Sequence, residues 1–328
     1  MENIKNLLIT GGAGYIGSNT INTLFYLYPN INFVVVDLKK KPSYINKDIQ
    51  CSKRFKYYEE NIGNDKKMMK ILKKNSISYI IDLAAFLPWD LAIVSDDKYI
   101  TNNTVCRYNF FNTCVKYGKI IHYIYQSSIL ALTNLSDNYN GTKNIFLPEE
   151  NQYDHFLYTT TKSAGYSFGY NTQCMKMLPI TIVSPAHIYG GTNQHIEDTI
   201  LFGINELCEK GKITLGRNSN TNYDNWINIY DVINGYQTIF NQGPNGKNYN
   251  LINQSQYYTP EQTAQMIIKY AKKTTDYSKY ITYRPNLLTP VPNFKRYNIQ
   301  SNFAPGQFNT TNSLELEIAK LASNSCKN

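Results

Sequence analysis

Tyr158 and Lys162 are the two side chains of this sequence whose types and spacing point most directly to chemistry. A spacing of four residues places both side chains on one face of a helix. Because a nearby ammonium group stabilises a phenolate, the tyrosine can act as an acid or a base far below its free pKa of about 10. The pattern Y-x-x-x-K has little weight by itself in a chain with 29 tyrosines, so its position matters.

The position of the pair along the chain supports a catalytic role. The segment Ile120–Gln126 is typical of a strand and runs into Ser127 and Ser128, thirty residues before Tyr158. In open α/β sheets, ligands bind at the carboxyl ends of the strands. We therefore expect Ser128 to lie at that edge of a sheet, together with the glycines at positions 11 to 17.

A glycine-rich segment follows the first predicted strand, Asn6–Thr10, and precedes a predicted helix. Gly11, Gly14 and Gly17 fit the pattern T-G-x-x-G-x-x-G, and Gly12 completes G-x-G-x-x-G with the last two. Glycines allow the backbone to turn tightly and to approach a pyrophosphate, whose charge then lies at the helix N-terminus. The segment therefore predicts a dinucleotide site.

The second predicted strand, Asn32–Asp37, ends in a carboxylate twenty residues after Gly17. An acidic side chain at this point binds the ribose 2′-hydroxyl of NAD. Three lysines at positions 39 to 41 follow closely and could neutralise the 2′-phosphate of NADP instead. The carboxylate favours NAD as the cofactor, with NADP left open.

The first half of the chain alternates short apolar runs with longer amphipathic stretches, which is typical of a parallel sheet covered by helices. The predicted strands are Asn6–Thr10, Asn32–Asp37, Phe55–Glu59, Tyr79–Leu83, Ile120–Gln126 and Pro179–Ser184. The predicted helices are Ile16–Tyr28, Asp65–Lys74, Ile100–Tyr117 and Tyr158–Cys174. Six strands with right-handed crossovers predict an α/β fold with a doubly wound parallel sheet.

Beyond Pro185 the sequence is richer in turns, and its predicted elements are shorter. The tail Tyr283–Phe308 contains several prolines and is expected to be irregular. We therefore expect a cofactor domain over residues 1–185, to which residues 222–250 return, and a smaller α+β substrate lobe made of residues 186–221 and 251–328.

Composition and charge restrict the possible partners. The chain has 328 residues and a formal net charge of +9, but its lysines occur in short pairs and triplets on separate segments. We interpret this charge as a solvated surface and predict no nucleic-acid partner. The absence of a long apolar run and of a signal-peptide pattern predicts no membrane association and a cytoplasmic protein. The six scattered cysteines predict reduced thiols and no metal site.

Together these motifs resemble the extended short-chain dehydrogenase/reductase family, and within it the nucleotide-sugar epimerases and dehydratases. The segments close to the family's patterns are 10–18, Asn61-Ile62, Leu83-Ala84-Ala85, Asn102-Asn103, Ser128 with Tyr158 and Lys162, Pro185–Gly190, Trp226–Val232 and Arg284-Pro285. The resemblance covers nearly the whole chain. It implies a Rossmann-type doubly wound sheet.

The resemblance also implies a role for each part of the site. Lys162 would hold the nicotinamide ribose and lower the pKa of Tyr158, which would exchange a proton with a sugar hydroxyl during hydride transfer. Ser128 would hydrogen-bond the same oxygen. The other cofactor-binding residues would be Gly11, Gly14, Tyr15, Ile16, Gly17, Asp37, Asn61, Ile62, Leu83, Ala84, Ala85 and Asn103, and the substrate contacts would be Ser128, His187, Arg217 and Arg284.

Departures from the family's patterns narrow the activity. Dehydratases of the family carry an acidic pair just after the serine-like residue, and sugar-acid decarboxylases carry a Glu there. Here Ile129 and Leu130 follow Ser128, and apolar groups cannot protonate a leaving hydroxyl, so both reactions are disfavoured. Asp224 replaces an arginine that contacts substrate phosphate, which leaves Arg217 as a candidate for that contact. Further replacements are Asp82 and Asn228 for histidines and His187 for an amide.

Three functions stay open on these residues. The predicted one is an NAD-dependent epimerase of a nucleotide-diphosphate sugar. The alternatives are an NAD(P)H-dependent reductase of a keto-sugar or another carbonyl, and a dinucleotide sensor without catalysis. The intact set of Ser128, Tyr158 and Lys162 argues against a sensor. The helices near residues 100–117 and 158–174 form a dimer interface in many relatives, which implies a homodimer.

Overall fold

The computed structural model describes residues 1–132, 153–195, 199–288, 294–297 and 299–325. The described strands are β1 Asn6–Thr10, β2 Asn32–Asp37, β3 Phe55–Glu59, β4 Tyr79–Asp82, β5 His122–Gln126, β6 Ile180–Pro185, β7 His187–Tyr189, β8 Ile213–Arg217, β9 Asp224–Asn228, β10 Tyr249–Leu251, β11 Tyr257–Tyr258 and β12 Ile281–Leu288. The described α-helices are α1 Tyr15–Leu27, α2 Lys47–Gln50, α3 Asp65–Lys74, α4 Asp96–Ile100, α5 Cys106–Tyr117, α6 Tyr153–Cys174, α7 Thr199–Lys210, α8 Ile229–Gln242, α9 Pro260–Lys272 and α10 Leu314–Ser325.

A seven-stranded parallel sheet forms the main body, with the strand order β10-β6-β5-β4-β1-β2-β3. The predicted doubly wound α/β fold is therefore confirmed, with β10 as a strand that the pattern did not include. The central strands are buried on both faces, as Leu7, Leu8 and Ile9 show with no exposed surface. Parallel sheets covered on both sides have this continuous apolar character.

Each face of the sheet packs against its own set of helices. Ile21 and Leu24 of α1 and Ile233 and Tyr236 of α8 belong to the core on one face. The other face packs against α3 and α5, whose buried residues there are Met68, Ile71, Phe110 and Phe111. The ends of the strands, which carry the loops, thus lie between two rigid layers.

A second group of described elements, outside the main sheet, contains two small sheets and three helices. The strands β11, β9 and β7 form one sheet, and β12 pairs with β8 in the other. Its core joins α7, α9 and α10 through Ile204, Leu207, Ile267 and Ile318. Residues far apart in sequence thus build one apolar core.

The tail was expected to be irregular from Tyr283 onward, but the structure contains a strand there, β12. This strand runs parallel to β8, with Tyr283 opposite Leu215. The register shifts between Tyr283 and Leu288, and Pro285 lies within that shift. A proline lacks the N–H that a regular ladder uses, so an irregular stretch of a short sheet accommodates it.

The helix predicted over Ile100–Tyr117 is interrupted. After α4, the turn Thr101–Val105 is a π-helix, and α5 begins only at Cys106. Single π turns inside helices often occur at functional sites. Here the wide turn buries Asn102 and Asn103.

Two further findings concern the composition. Cys208 is disulfide-bonded, so the expectation of reduced thiols is wrong at this residue, whereas Cys51, Cys106, Cys114 and Cys174 are free. Scattered cysteines carry no pairing signal, so the sequence could not indicate this disulfide.

Among the described helices, none combines the length and the apolar character that crossing a membrane requires.

Candidate active site

A cavity of about 520 Å³ opens at the carboxyl ends of the central strands. At one end it is lined by the glycine loop after β1, and at the other by residues that follow β6. Ser128, Tyr158 and Lys162 all line this same cavity. The sheet therefore brings together the two motifs that the sequence singled out.

The glycine loop has the shape that a dinucleotide site requires. Gly11 has a φ of +65°, and a Cβ there would lie 2.8 Å from the Ala84 backbone. A Cβ on Gly17 would lie 2.5 Å from the Cα of Gly12, so α1 packs directly on the loop. Gly14 caps α1 and offers no side-chain hydrogen bond to its first turn. Those backbone N–H groups are where a pyrophosphate fits.

Asp37 lines the cavity and also holds the glycine loop. One carboxylate oxygen accepts the N–H of Ala13 at 2.9 Å, and the other accepts the N–H of Lys39 at 2.9 Å. The sequence predicted the ribose contact but not this contact with the loop. Of the three lysines at positions 39 to 41, only Lys39 lines the cavity.

The remaining predicted cofactor residues divide into two groups. Tyr15, Ile16, Ile62, Leu83, Ala84 and Ala85 line the cavity. Asn61 and Asn103 lie outside its described lining, where Glu60 and Asn102 stand instead. The Asn61 side chain accepts the N–H of Gly63 at 2.7 Å. A motif thus predicts which segment reaches the cavity, but the residue that lines the cavity can be the one next to the motif residue.

Asn103 has a supporting position. Its amide oxygen accepts the N–H of Phe86 at 2.8 Å, and its amide nitrogen donates to the Phe86 carbonyl at 3.0 Å. These two bonds hold the loop after β4, which includes the cavity-lining Ala84 and Ala85, against the π turn. Asn103 therefore shapes the cavity from behind its wall.

The Ser128 hydroxyl lies close enough to Tyr158 to lower the pKa of the phenol. Burial is the larger effect, and together with nearby Tyr125 it raises the pKa of Tyr158 well above its usual value. Under the combined effects of burial, Tyr125 and Ser128, the phenol of Tyr158 stays protonated at neutral pH. It is therefore a proton donor until a positive charge in the site favours the phenolate.

Lys162 supplies a titratable ammonium beside Tyr158. Its Nζ donates to the Gln126 carbonyl at 3.2 Å and lies 5.7 Å from the centre of the Tyr158 ring. Burial, with a smaller contribution from Arg107, lowers the pKa of Lys162 to about 7, while Asp82 opposes that shift. Since a bound anion favours the charged form, a pKa near neutrality makes the charge of Lys162 responsive to its ligands.

An ion pair that the sequence did not predict lies under the cavity. Arg107 of α5 pairs with Asp82 of β4, and Asp82 also accepts hydrogen bonds from Thr10 and Tyr123. The side chains of Arg107 and Asp82 are 1% and 0% exposed. Arg107 donates in addition to the carbonyl of Ala84, which lines the cavity. The sequence did contain one signal for this pair. Asp82 directly follows Ile80 and Ile81 in a buried strand, and a carboxylate in that position needs a cation as its partner.

The part of the cavity lining that follows β6 contains His187, which pairs with Asp224. The Nδ1 of His187 lies 2.7 Å from Oδ2 of Asp224, and its ring stacks on Trp226 with the ring centres 4.1 Å apart. Both His187 and Asp224 line the cavity. The sequence indicated His187 as a substrate contact and left its partner unidentified, although both residues depart from the family's pattern.

The two arginines predicted to bind substrate are placed elsewhere. Arg217 and Arg284 are exposed, and neither belongs to the described lining of the cavity. Ile129 is buried, and Leu130 is part of the wall next to Ser128. The carboxylates of the described lining are Asp37, Glu60, Asp90 and Asp224.

Comparison with known proteins gives one family. The model of the NAD dependent epimerase/dehydratase family matches residues 7–251. Among curated proteins, the chain is 28% identical over 257 residues to dTDP-D-glucose 4,6-dehydratase of Dictyostelium discoideum, with 76% of this chain and 58% of that protein covered. It thus spans less than two thirds of that relative. The corresponding protein of Mus musculus is 23% identical, with 86% of this chain and 79% of that protein covered.

Two solved structures show the same fold. One is dTDP-glucose 4,6-dehydratase from Bacillus anthracis in complex with NAD, with a TM-score of 0.73, 18% identity, and 97% and 95% of the two chains covered. The other is UDP-glucose 4-epimerase from Thermotoga maritima with UDP-glucose, with a TM-score of 0.73, 18% identity and 96% of each chain covered.

Proposed function

The chain belongs to the NAD-dependent epimerase/dehydratase family, and from this premise we propose that it is an epimerase of a nucleotide-diphosphate sugar. The observation that carries the proposal is that Ser128, Tyr158 and Lys162 line one cavity, which begins at the glycine loop. Members of this family are enzymes that depend on NAD. The sugar specificity and the reaction are the parts proposed here.

The residues of the cavity fit NAD. The pyrophosphate would lie on the N–H groups at the start of α1, which packs directly on the glycine loop because Gly17 has no Cβ. Asp37 would accept a hydrogen bond from the adenosine ribose, and Lys162 would donate to the nicotinamide ribose. When bound, NAD supplies the acceptor and the donor of hydride.

The proton chemistry belongs to this chain's own residues. Tyr158 would take the proton of a sugar hydroxyl as that carbon is oxidised and return it as the carbon is reduced. Ser128 would hydrogen-bond the same oxygen and hold it against the phenol. The ammonium of Lys162 would stabilise the phenolate in between, which opposes the effect of burial on Tyr158.

Epimerisation is favoured over dehydration by the wall beside Ser128. Dehydration requires an acid that protonates the leaving hydroxyl, and Ile129 and Leu130 cannot supply one. The curated relatives named above are dehydratases, but their identity to this chain is below 30%. An epimerase also keeps its cofactor through two opposite hydride transfers, so purified protein would carry bound NAD.

The substrate test uses UDP-, dTDP- and GDP-sugars without added cofactor, followed by NMR of the sugar. Interconversion at one carbon with no lasting absorbance change at 340 nm is the expected result. Consumption of NADH with a keto-sugar, together with no reaction of any ordinary nucleotide sugar, would show a reductase instead. Loss of water from the sugar would show a dehydratase.

We also propose a homodimer through α5 and α6. Tyr108 and Tyr170 on these helices are 49% and 51% exposed, and the Tyr108 ring lies 5.3 Å from that of Phe168. Aromatic side chains of this kind contribute much of the binding energy at protein interfaces. Light scattering after size-exclusion chromatography should give twice the mass of the chain, and Tyr170→Lys should shift it toward the monomer.

A further inference from the structure

The cavity contains a second group able to exchange protons, formed by His187 and Asp224. Asp224 is 5% exposed, and His187 is 29% exposed. The carboxylate thus lies buried behind an imidazole that reaches the cavity. Since Oδ2 of an ionised carboxylate can only accept, Nδ1 of His187 carries the proton of their 2.7 Å hydrogen bond.

Two paired strands hold the imidazole in place. The strands β7 and β9 are parallel, and His187 lies opposite Trp226. Asp224 and Trp226 are two residues apart on β9, so their side chains point to the same face. The indole supports the ring of His187 from one side, with the planes 16° apart, and the carboxylate holds one edge. Asp224 is itself fixed by the N–H of Asn225 at 2.8 Å.

This arrangement has a chemical use. An imidazole whose Nδ1 donates to a buried carboxylate accepts a proton at Nε2, and the carboxylate then stabilises the imidazolium. A buried carboxylate is costly to the fold unless it is well paired, and here the pairing is supplied by an imidazole at the cavity. Tyr158 and His187 thus give the same cavity two separate acid–base groups.

The other carboxylates of the described lining already have structural partners. Asp90 accepts the N–H of Leu87 at 2.6 Å within its own turn. Glu60 forms an ion pair with Lys67 at 2.7 Å. Asp37 holds the glycine loop. Asp224 differs from these three because its partner is a second proton-exchanging group.

We propose that His187, oriented by Asp224, is a second catalytic acid–base residue, which removes and returns a proton on the sugar carbon next to the oxidised one. The proposal rests on the proposed function, since oxidation of the sugar by NAD produces the ketone that makes this carbon acidic. The C–H bond breaks, its proton passes to Nε2 of His187, and its electron pair forms the enolate. If the enolate ring turns over in the cavity before Nε2 returns the proton, the new C–H bond forms on the opposite face and the carbon is inverted.

The test supplies the ketone ready-made, so that no hydride transfer is required. UDP-4-keto-6-deoxy-D-glucose is incubated with the protein in D2O, and deuterium on the carbons beside the ketone is followed by NMR and mass spectrometry. We expect wild-type protein to introduce deuterium much faster than the same buffer does without protein. His187→Asn should lower the rate by about 100-fold, the usual contribution of such a group. Asp224→Asn should give an intermediate loss.

The matched control is His122→Asn, since His122 lies in β5 outside the described lining of the cavity, with Nε2 2.9 Å from the Thr181 hydroxyl. This variant should exchange deuterium at the wild-type rate. Thermal melts establish that each variant is folded, and His187→Gln replaces His187→Asn if the latter is not.

If wild-type protein introduced deuterium no faster than protein-free buffer does, the proposal would be overturned. Exchange by folded His187→Asn at the wild-type rate would overturn it as well. Failure of the proposed function looks different, because ordinary nucleotide sugars would then stay unchanged while deuterium exchange into the keto sugar continues.

Discussion

Arg107 and Asp82 form an ion pair with almost no exposed surface, directly beneath the cavity that holds Tyr158 and Lys162. The pair joins α5 to the end of β4, and Arg107 reaches on to the carbonyl of Ala84 in the cavity wall. The charge of Arg107 lowers the pKa of Lys162, and that of Asp82 raises it. The pair therefore connects the stability of the fold with the charge of the site.

Removal of one partner of this pair should be strongly destabilising. Arg107→Leu leaves the Asp82 carboxylate buried without its counter-ion, and such changes cost about 3–5 kcal/mol of the free energy of unfolding. The double variant Asp82→Leu with Arg107→Leu should recover part of that loss, because no buried charge stays unpaired. Urea denaturation of the two single variants and the double variant measures the coupling. Additive losses would show that the two side chains do not depend on each other.

Tyr158→Phe should abolish turnover while the affinity for NAD stays within a few-fold of wild type. The phenol is required for proton exchange, whereas cofactor binding depends mainly on the glycine loop and Asp37. Calorimetry gives the NAD affinity, and NMR of the sugar gives turnover. A Phe variant that keeps near-full activity would show that Tyr158 is not the acid–base residue.

The stability of the cofactor-free protein should depend on pH through Lys162. The pKa of Lys162 is lowered from 10.5 to about 7 in the folded state. Between these two values the unfolded chain binds one more proton than the folded chain at this position, so the contribution of Lys162 to stability rises with pH. We expect the stability difference between wild type and Lys162→Met to move in favour of wild type from pH 7 to pH 10.

The measurement is urea denaturation of both proteins at several pH values. Lys98→Met, which changes a lysine of α4 outside the cavity lining, is the matched control and should show no such trend. A difference between wild type and Lys162→Met that stays constant from pH 7 to pH 10 would contradict the lowered pKa.

NAD should bind more tightly than NADP. The carboxylate of Asp37 accepts a hydrogen bond from a ribose hydroxyl and repels a 2′-phosphate. Asp37→Asn should weaken NAD binding and reduce the preference for NAD over NADP. Its effect on the glycine loop is limited, because the amide oxygen can still accept the N–H of Ala13. Calorimetric titration with both cofactors decides this point. Tighter binding of NADP by wild type would show that Lys39 outweighs Asp37.

The sequence predicted those parts of the fold that depend on local pattern. The bounds of β1, β2, β3 and α3 agree with the predicted segments. For β1 and β2 the reason is that an apolar run ending in a glycine loop or a carboxylate has few alternatives. The family resemblance implied that Ser128 and Tyr158 act together, and both line the same cavity.

Contacts between distant segments could not be predicted in the same way. Arg107 and Asp82 meet only because α5 packs over β4, and His187 and Asp224 meet only because β7 pairs with β9. The direction of a single side chain was also beyond the sequence. Asn103 turns behind the wall and Arg284 lies on the surface, because a π turn and a strand set their directions.

The strand order has a consequence while the chain is being synthesised. The edge strand β10 pairs with β6, yet residues 186–248 separate the two in sequence. At about 5–20 residues per second, the ribosome needs several seconds to deliver them. During that interval the apolar strand β6 presents an open edge, and open edges of this kind recruit other chains. Nascent chains stalled shortly before Tyr249 should therefore associate with chaperones more than chains stalled well after Leu251.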